Sequence, residues 1–248
     1  MTMGPLLVRG MLAGLVSAAL GLVFAWVAGE PQVNLAIAFE ARQSAAAGMA
    51  EEPELVSRTV QETFGLAVAV GLFGVAIGGL FAVAFAIAYG RLGAFGPRAT
   101  AALLAGGGFV AVALVPFLKY PANPPAVGSH DTVATRTGLY FALVAISIAI
   151  AIVSVQAGRH LAARLGNWNA TLAAGAMALI LITVSYLILP KVDEVSANFP
   201  ATVLWEFRLA SLGVQAVIWT TLGLVFGVLT ERSLASRARA APVTAPTG

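Results

Sequence analysis

The sequence predicts an all-α, polytopic membrane protein with six transmembrane helices and both termini in the cytoplasm. Charged residues make up only 10% of the 248-residue chain and mean hydropathy is +0.91, whereas soluble domains carry about 25% charged residues. The apolar residues gather in six runs without Asp, Glu, Lys, Arg or His: 10–28, 63–90, 99–118, 137–158, 166–190 and 209–230. Each is close to or longer than the roughly 20 residues a helix needs to cross about 30 Å of hydrocarbon. Backbone groups in lipid must be paired internally, which a helix does within one segment. The charges between the runs also segregate. Arg9, Arg91, Arg98, Arg159, Arg164, Arg232, Arg237 and Arg239 fall on one face, with Glu231 its single acid. Arg42, Arg58, Lys119, Arg136, Lys191, Arg208 and every other acid fall on the opposite face. An excess of Arg and Lys in short loops marks the cytoplasmic side.

Taken in order, the first run follows Arg9 and exceeds the 7–15 residues usual for a signal-peptide core, so it reads as a retained helix. Gly10, Gly14, Ala18 and Gly21 form a small-residue seam for close helix packing. Gly29-Glu30-Pro31 predicts a sharp helix end, and 33–46 suits an amphipathic helix lying in the interface. The second helix is expected to start near Pro53, outside the membrane, and to run to Tyr89, with Glu54, Arg58 and Glu62 on one face. Gly71, Gly74 and Gly78 repeat the packing device. The third helix holds Gly106-Gly107-Gly108, for which close packing is expected over a break, and then Pro116.

Lys119-Tyr120-Pro121-Ala122-Asn123-Pro124-Pro125-Ala126-Val127-Gly128 comes next. Three prolines in ten residues fix φ and remove backbone donors, so this is a rigid, non-helical loop that can shape an entrance. The fourth helix carries the hydroxyls of Tyr140, Ser147 and Ser154; the fifth ends at Leu189-Pro190; the sixth begins near Trp205-Glu206-Phe207-Arg208 and holds Gly223 and Gly227. Residues 1–232 form the transmembrane domain, and 233–248, rich in Ala, Arg, Pro and Thr, are expected as a disordered cytoplasmic tail. Ala122-Asn-Pro-Pro-Ala126 echoes Ala197-Asn-Phe-Pro-Ala201, too briefly to separate a parallel repeat from chance.

Several chemistries are excluded or disfavoured. Without cysteine there are no disulfides or thiolate metal sites. Spans free of ionisable residues disfavour a proton antiporter built on a mid-membrane carboxylate. No phosphate-binding Gly-rich loop is present, and no nucleophile–base pair suggests an enzyme. The dispersed basic residues do not form a nucleic-acid patch. The span hydroxyls are expected to bond their own helix backbones. The outer face gathers carboxylates and His130, and oxygen ligands suit divalent cations. The candidate metal-collecting residues are Glu30, Glu40, Asp131, Asp193, Glu194 and Glu206; Glu51, Glu52 and Glu54 read better as solvated surface. The rim of the entrance would be Lys119, Tyr120, Pro121, Asn123, Pro124, Pro125, Arg136 and Arg208. Two other readings stay open: a transporter or channel for a small non-metal solute, and a non-transporting scaffold that binds a partner helix through its glycine seams.

Arg9-Gly10 with Ala13-Gly14, Gly29-Glu30-Pro31, Glu40, the loop Lys119–Gly128, Arg136-Thr137, and Leu189-Pro190 through Phe199-Pro200-Ala201 with Phe207-Arg208 together resemble the CbtA family. The resemblance spans nearly the whole chain and is most specific at the proline loop. It implies a membrane subunit of a cobalt uptake transporter in the bacterial inner membrane, linked to cobalamin synthesis. Cobalt would be cargo, with no permanently bound cofactor. It also implies a small CbtB-like partner with one membrane helix and a histidine-bearing terminus. The family pattern has an acid–proline pair after Gly128 where this chain reads Ser129-His130-Asp131, so His130 is not carried over as a ligand.

Overall fold

Pro31 does not end the first helix. In the computed structural model, α1 (Met3–Phe24) passes through a π-helical stretch (Ala25–Gly29) directly into α2 (Glu30–Ala46). Proline has no N–H, and its ring crowds the carbonyl four residues back. The π stretch relieves this. The Glu30 N–H already reaches back five residues to the Ala25 carbonyl, so Pro31 enters a widened ladder. The expected sharp stop is therefore corrected to a continuous helix.

The structure describes residues 2–46, 48, 64–128 and 130–240. The expected helix start at Pro53 lies outside them. The remaining helices are α3 (Leu66–Ala88), α4 (Pro97–Gly108), which runs through a π segment (Phe109–Leu114) into the short α5 (Val115–Lys119), then α6 (His130–Ile188) and α7 (Ala201–Ala240). There is no strand among the described residues. Five helical stretches are long and apolar enough to cross a membrane: Met3–Ala46, Leu66–Ala88, Pro97–Lys119, Thr132–Ile188 and Ala201–Ser236. The two expected spans at 137–158 and 166–190 correspond to two helices within α6, separated at the non-helical Gly166 (φ 73°, ψ 163°). That left-handed backbone suits glycine. The two halves fold back on each other, since a Cβ on Gly158 would lie 3.1 Å from that of Ala174. Residues 233–240 of the expected tail continue α7 as helix, and 241–248 lie outside the described residues.

The chain divides into two compact units. The first comprises Met1–Val23, Val56–Gly106 and Ala216–Gly248. Its organising contact is α1 against α3. A Cβ on Gly14 would lie 2.0 Å from the Gly74 carbonyl oxygen, and one on Gly10 would lie 2.2 Å from that of Gly78. Helix backbones touch there, as membrane helices do when small residues face one another. Gly71, expected in the same seam, has nothing within 4 Å. Gly223 and Gly227 of α7 meet Ala101, Ala105 and the Arg98 backbone of α4. Phe226 packs edge-on against Phe81 and Phe85, with centroids 5.2 and 5.0 Å away. Arg9 donates to Ser233 Oγ at 2.5 Å, and Arg98 pairs with Glu231 at 2.5 Å.

The second unit comprises Phe24–Leu55 and Gly107–Gln215. Here α2 packs into protein: Ala36 is buried with Val127 and Phe199, and Phe39 meets Phe199 edge-on at 5.2 Å.

Gly106 and Gly107 do not provide the close packing expected of the glycine triplet. Gly106 and Gly107 have nothing within 4 Å, and the α-helical register gives way to the π segment just after Gly108. Pro116 accounts for the use made of the carbonyls one turn before it. A residue-116 N–H would reach the carbonyl of Val112 in α register or of Ala111 in π register. Both are taken by α6: Tyr140 donates to Val112 O at 3.3 Å, and Ser147 donates to Ala111 O. Ser17, Thr171, Thr183 and Ser185 bond the carbonyl four residues back in their own helices, as expected. Tyr140 and Tyr186 instead reach carbonyls of another helix, at Val112 and Val115, and Ser147 lies within bonding distance of both Ala111 O and Val144 O of its own helix.

Candidate functional site

Loop Lys119–Gly128 leaves the helix because three prolines cannot continue it. Tyr120 is already out of helical geometry (φ −128°, ψ 75°). The loop then turns on itself, with the Val127 N–H bonding Pro124 O at 3.2 Å. Ala126 sits at φ 66°, a left-handed backbone that costs a non-glycine residue about 1–2 kcal/mol. Burial holds it there: Tyr120 is 4% exposed, Val127 8%, and Pro124 is fully enclosed. The loop is thus a wedge packed into the second unit, with only part of its length at the surface.

Its polar groups strap it to neighbouring segments. Lys119 Nζ donates to Tyr186 O at 2.8 Å and Tyr120 Oη donates to Pro190 O at 2.7 Å, occupying carbonyls at the end of α6 and just beyond. Arg208, at the start of α7, donates to Asn123 Oδ1 at 2.9 Å and to Ala122 O at 3.4 Å. Asn123 Nδ2 faces Glu194 Oε2 at 3.4 Å, and the same carboxylate oxygen meets Arg136 Nη1 at 2.6 Å. The Glu194 side chain is 3% exposed and that of Arg136 is 27% exposed. A Cβ on Gly128 (φ 124°) would stand 3.2 Å from Glu194 Oε2, so glycine leaves room for this pair. Burial pushes the Tyr120 hydroxyl above its usual pKa, which keeps it a donor. Burial also lowers Arg208, with Asp193 acting in the opposite sense.

The acids do not assemble into a coordination sphere. Among the described residues no three His, Asp or Glu side chains come together to hold a metal ion. Glu194 is committed to Arg136 and Asn123 instead. Glu206 accepts from Gln32 Nε2 at 2.6 Å, which ties α7 to α2 beside Glu30. Glu40 and Asp193 are exposed. The side chains of His130 and Asp131 lie outside the described set. The rim residues do come together: Lys119, Tyr120, Asn123, Arg136 and Arg208 all belong to the strap, while Pro121 lines a cavity behind it and Pro125 lies exposed at the turn.

That cavity, of about 240 Å³, was not foreseen from the sequence. Its polar lining comes from Tyr120, Arg136, Thr137, Tyr140, Ser211 and Gln215. The signal available in the sequence was Gln215, a side-chain amide inside an apolar run with no partner specified by local spacing.

A family model described as "Probable cobalt transporter subunit (CbtA)" matches residues 3–231. No curated protein and no solved structure matches the chain.

Proposed function

The chain belongs to the CbtA family of probable cobalt transporter subunits, and on that premise we propose that it is the multi-pass membrane subunit of a cobalt importer in the bacterial inner membrane. The observation that carries the proposal is the family match over residues 3–231. Six spans with both termini cytoplasmic is the arrangement we favour. It is supported by the fold-back of α6 at Gly166 and by the one-sided distribution of arginines.

Cobalt would be drawn to the outer face by carboxylates acting through their field rather than as a preformed ligand set. Exposed Glu40, Asp193 and Glu206, with Glu30 close by in sequence on α2, are the groups we assign to this, and Asp131 is a further candidate. Their summed potential raises the local cation concentration without stripping its water. Glu194 takes the role of internal counter-ion to Arg136, fixing the rim. A small single-helix partner with histidines, CbtB-like, would supply the imidazoles that this chain's spans lack.

Labelled cobalt uptake into proteoliposomes holding this chain, alone and with such a partner, tests the proposal. Uptake above empty vesicles is expected. At limiting cobalt, Glu30→Gln and Glu206→Gln should each lower uptake about two- to fivefold, the scale of losing one surface charge from an attracting field. Unchanged uptake in both variants would remove the vestibule, and no uptake in either preparation would remove the transport role.

A further inference from the structure

The transport reading leaves open how a divalent ion passes a chain with no carboxylate, imidazole or thiolate in its apolar runs. The cavity behind the proline loop bears on this. Among the described residues its lining has no acid and no histidine, and the one charged group there is Arg136, whose charge is offset by Glu194 at 2.6 Å. An ion stripped of water would find no anionic ligand there, and an unligated charge in a low-dielectric site is very costly.

The remaining polar groups offer mostly acceptors. Tyr120, Tyr140 and Ser211 each donate their hydroxyl proton to a backbone carbonyl, at 2.7, 3.3 and 2.8 Å. Any of these oxygens that reaches the cavity reaches it as a lone pair. Gln215 and Thr137 line the cavity and make no hydrogen bond among the described residues. Gln215 is half-buried and Thr137 exposed, so both are open to a polar occupant of the cavity.

We propose that this cavity takes the divalent ion with its first water shell in place, recognised by hydrogen bonds from the bound waters to neutral oxygens. The inference rests on the cobalt-transport reading above. A divalent first-row ion in an all-oxygen shell is octahedral. Six waters of about 30 Å³ each occupy about 180 Å³, which fits within the 240 Å³ available. Metal-bound waters are more acidic than bulk water and are stronger donors, matching an acceptor-rich wall. Gln215 Oε1 and Thr137 Oγ1 are the specificity-determining groups, because among the described polar lining residues they are the ones not committed to a protein hydrogen bond.

Hexaamminecobalt(III) is the probe. It has the octahedral shape of the hydrated ion, presents N–H donors where the ion presents O–H, and does not exchange its ligands. Equilibrium dialysis against the purified full chain in detergent should show saturable binding. Gln215→Ala and Thr137→Val should each weaken it about fivefold, as for one lost neutral hydrogen bond. Gln215→Glu should strengthen it, a change that misfolding would not produce. In proteoliposomes the complex should compete with labelled cobalt. Absence of binding, or binding indifferent to all three substitutions, overturns the inference. Cobalt uptake that persists without competition overturns the hydrated-ion inference alone and leaves the transport reading standing. Absence of cobalt uptake overturns both.

Discussion

Removing the Glu194 carboxylate and its Arg136 partner together should destabilise the second unit by less than the sum of removing each alone. The Glu194 side chain is 3% exposed, and its Oε2 carries both the 2.6 Å contact to Arg136 and the 3.4 Å contact to Asn123. Taking one member from a fully buried ion pair costs about 3–5 kcal/mol, because the other charge is left without compensation. Arg136 is 27% exposed, so water recovers part of that loss, and about 2–4 kcal/mol is the better expectation for Arg136→Gln or Glu194→Gln. The double variant leaves no stranded charge. It should cost less than the sum of the two singles, with a coupling of about 1–3 kcal/mol. Tryptophan fluorescence during thermal unfolding in detergent micelles reads this as a drop on the order of 10 °C for each single variant. Additive effects, within about 0.5 kcal/mol, would refute the assignment of the pair as a mutual charge-neutralising element and return Glu194 to the cation-collecting set.

Two further outcomes are expected from the packing. In the first unit, Gly14→Ala places a Cβ 2.0 Å from a backbone oxygen that cannot rotate away, so it should cost about 3 kcal/mol or abolish a monodisperse preparation, whereas Gly71→Ala, with nothing within 4 Å, should be neutral or slightly stabilising by size-exclusion profile and melting temperature. In the second unit, Tyr140→Phe should cost about 1 kcal/mol in the wild type, because Val112 O loses its donor. It should cost close to nothing in a Pro116→Ala background, where the restored N–H serves a carbonyl in that turn. Equal costs in both backgrounds would show that proline is not what directs the tyrosine across.

Much of the fold was legible because membrane insertion is decided by local quantities. Length, apolarity and the absence of charge located the long apolar helical stretches among the described residues, though not their ends, and glycine spacing located the α1–α3 seam at Gly10, Gly14, Gly74 and Gly78. The π segments at Ala25–Gly29 and Phe109–Leu114 were not legible. Residue type reveals that Pro31 or Pro116 must lose a hydrogen bond, but whether the helix stops or widens depends on what else can serve the freed carbonyls. The same limit applied at the candidate site. Sequence marked Arg136, Glu194, Asn123 and Arg208 as polar groups on one face and could not say that they would neutralise one another.

By itself, then, the sequence determined the all-helical membrane class, the apolar stretches long enough to cross a membrane and, through the proline loop, the family resemblance. These depend on free energies of transfer and backbone stereochemistry that act within a few residues. Only the tertiary structure decided which acid is sequestered and which remain at the surface, where the freed carbonyls find donors, and that Gln215 faces a cavity of about 240 Å³ without a hydrogen-bond partner among the described residues. Those outcomes depend on groups as far as 174 residues apart in sequence, as for Gln32 and Glu206, and such pairings are chosen by packing rather than by local propensity.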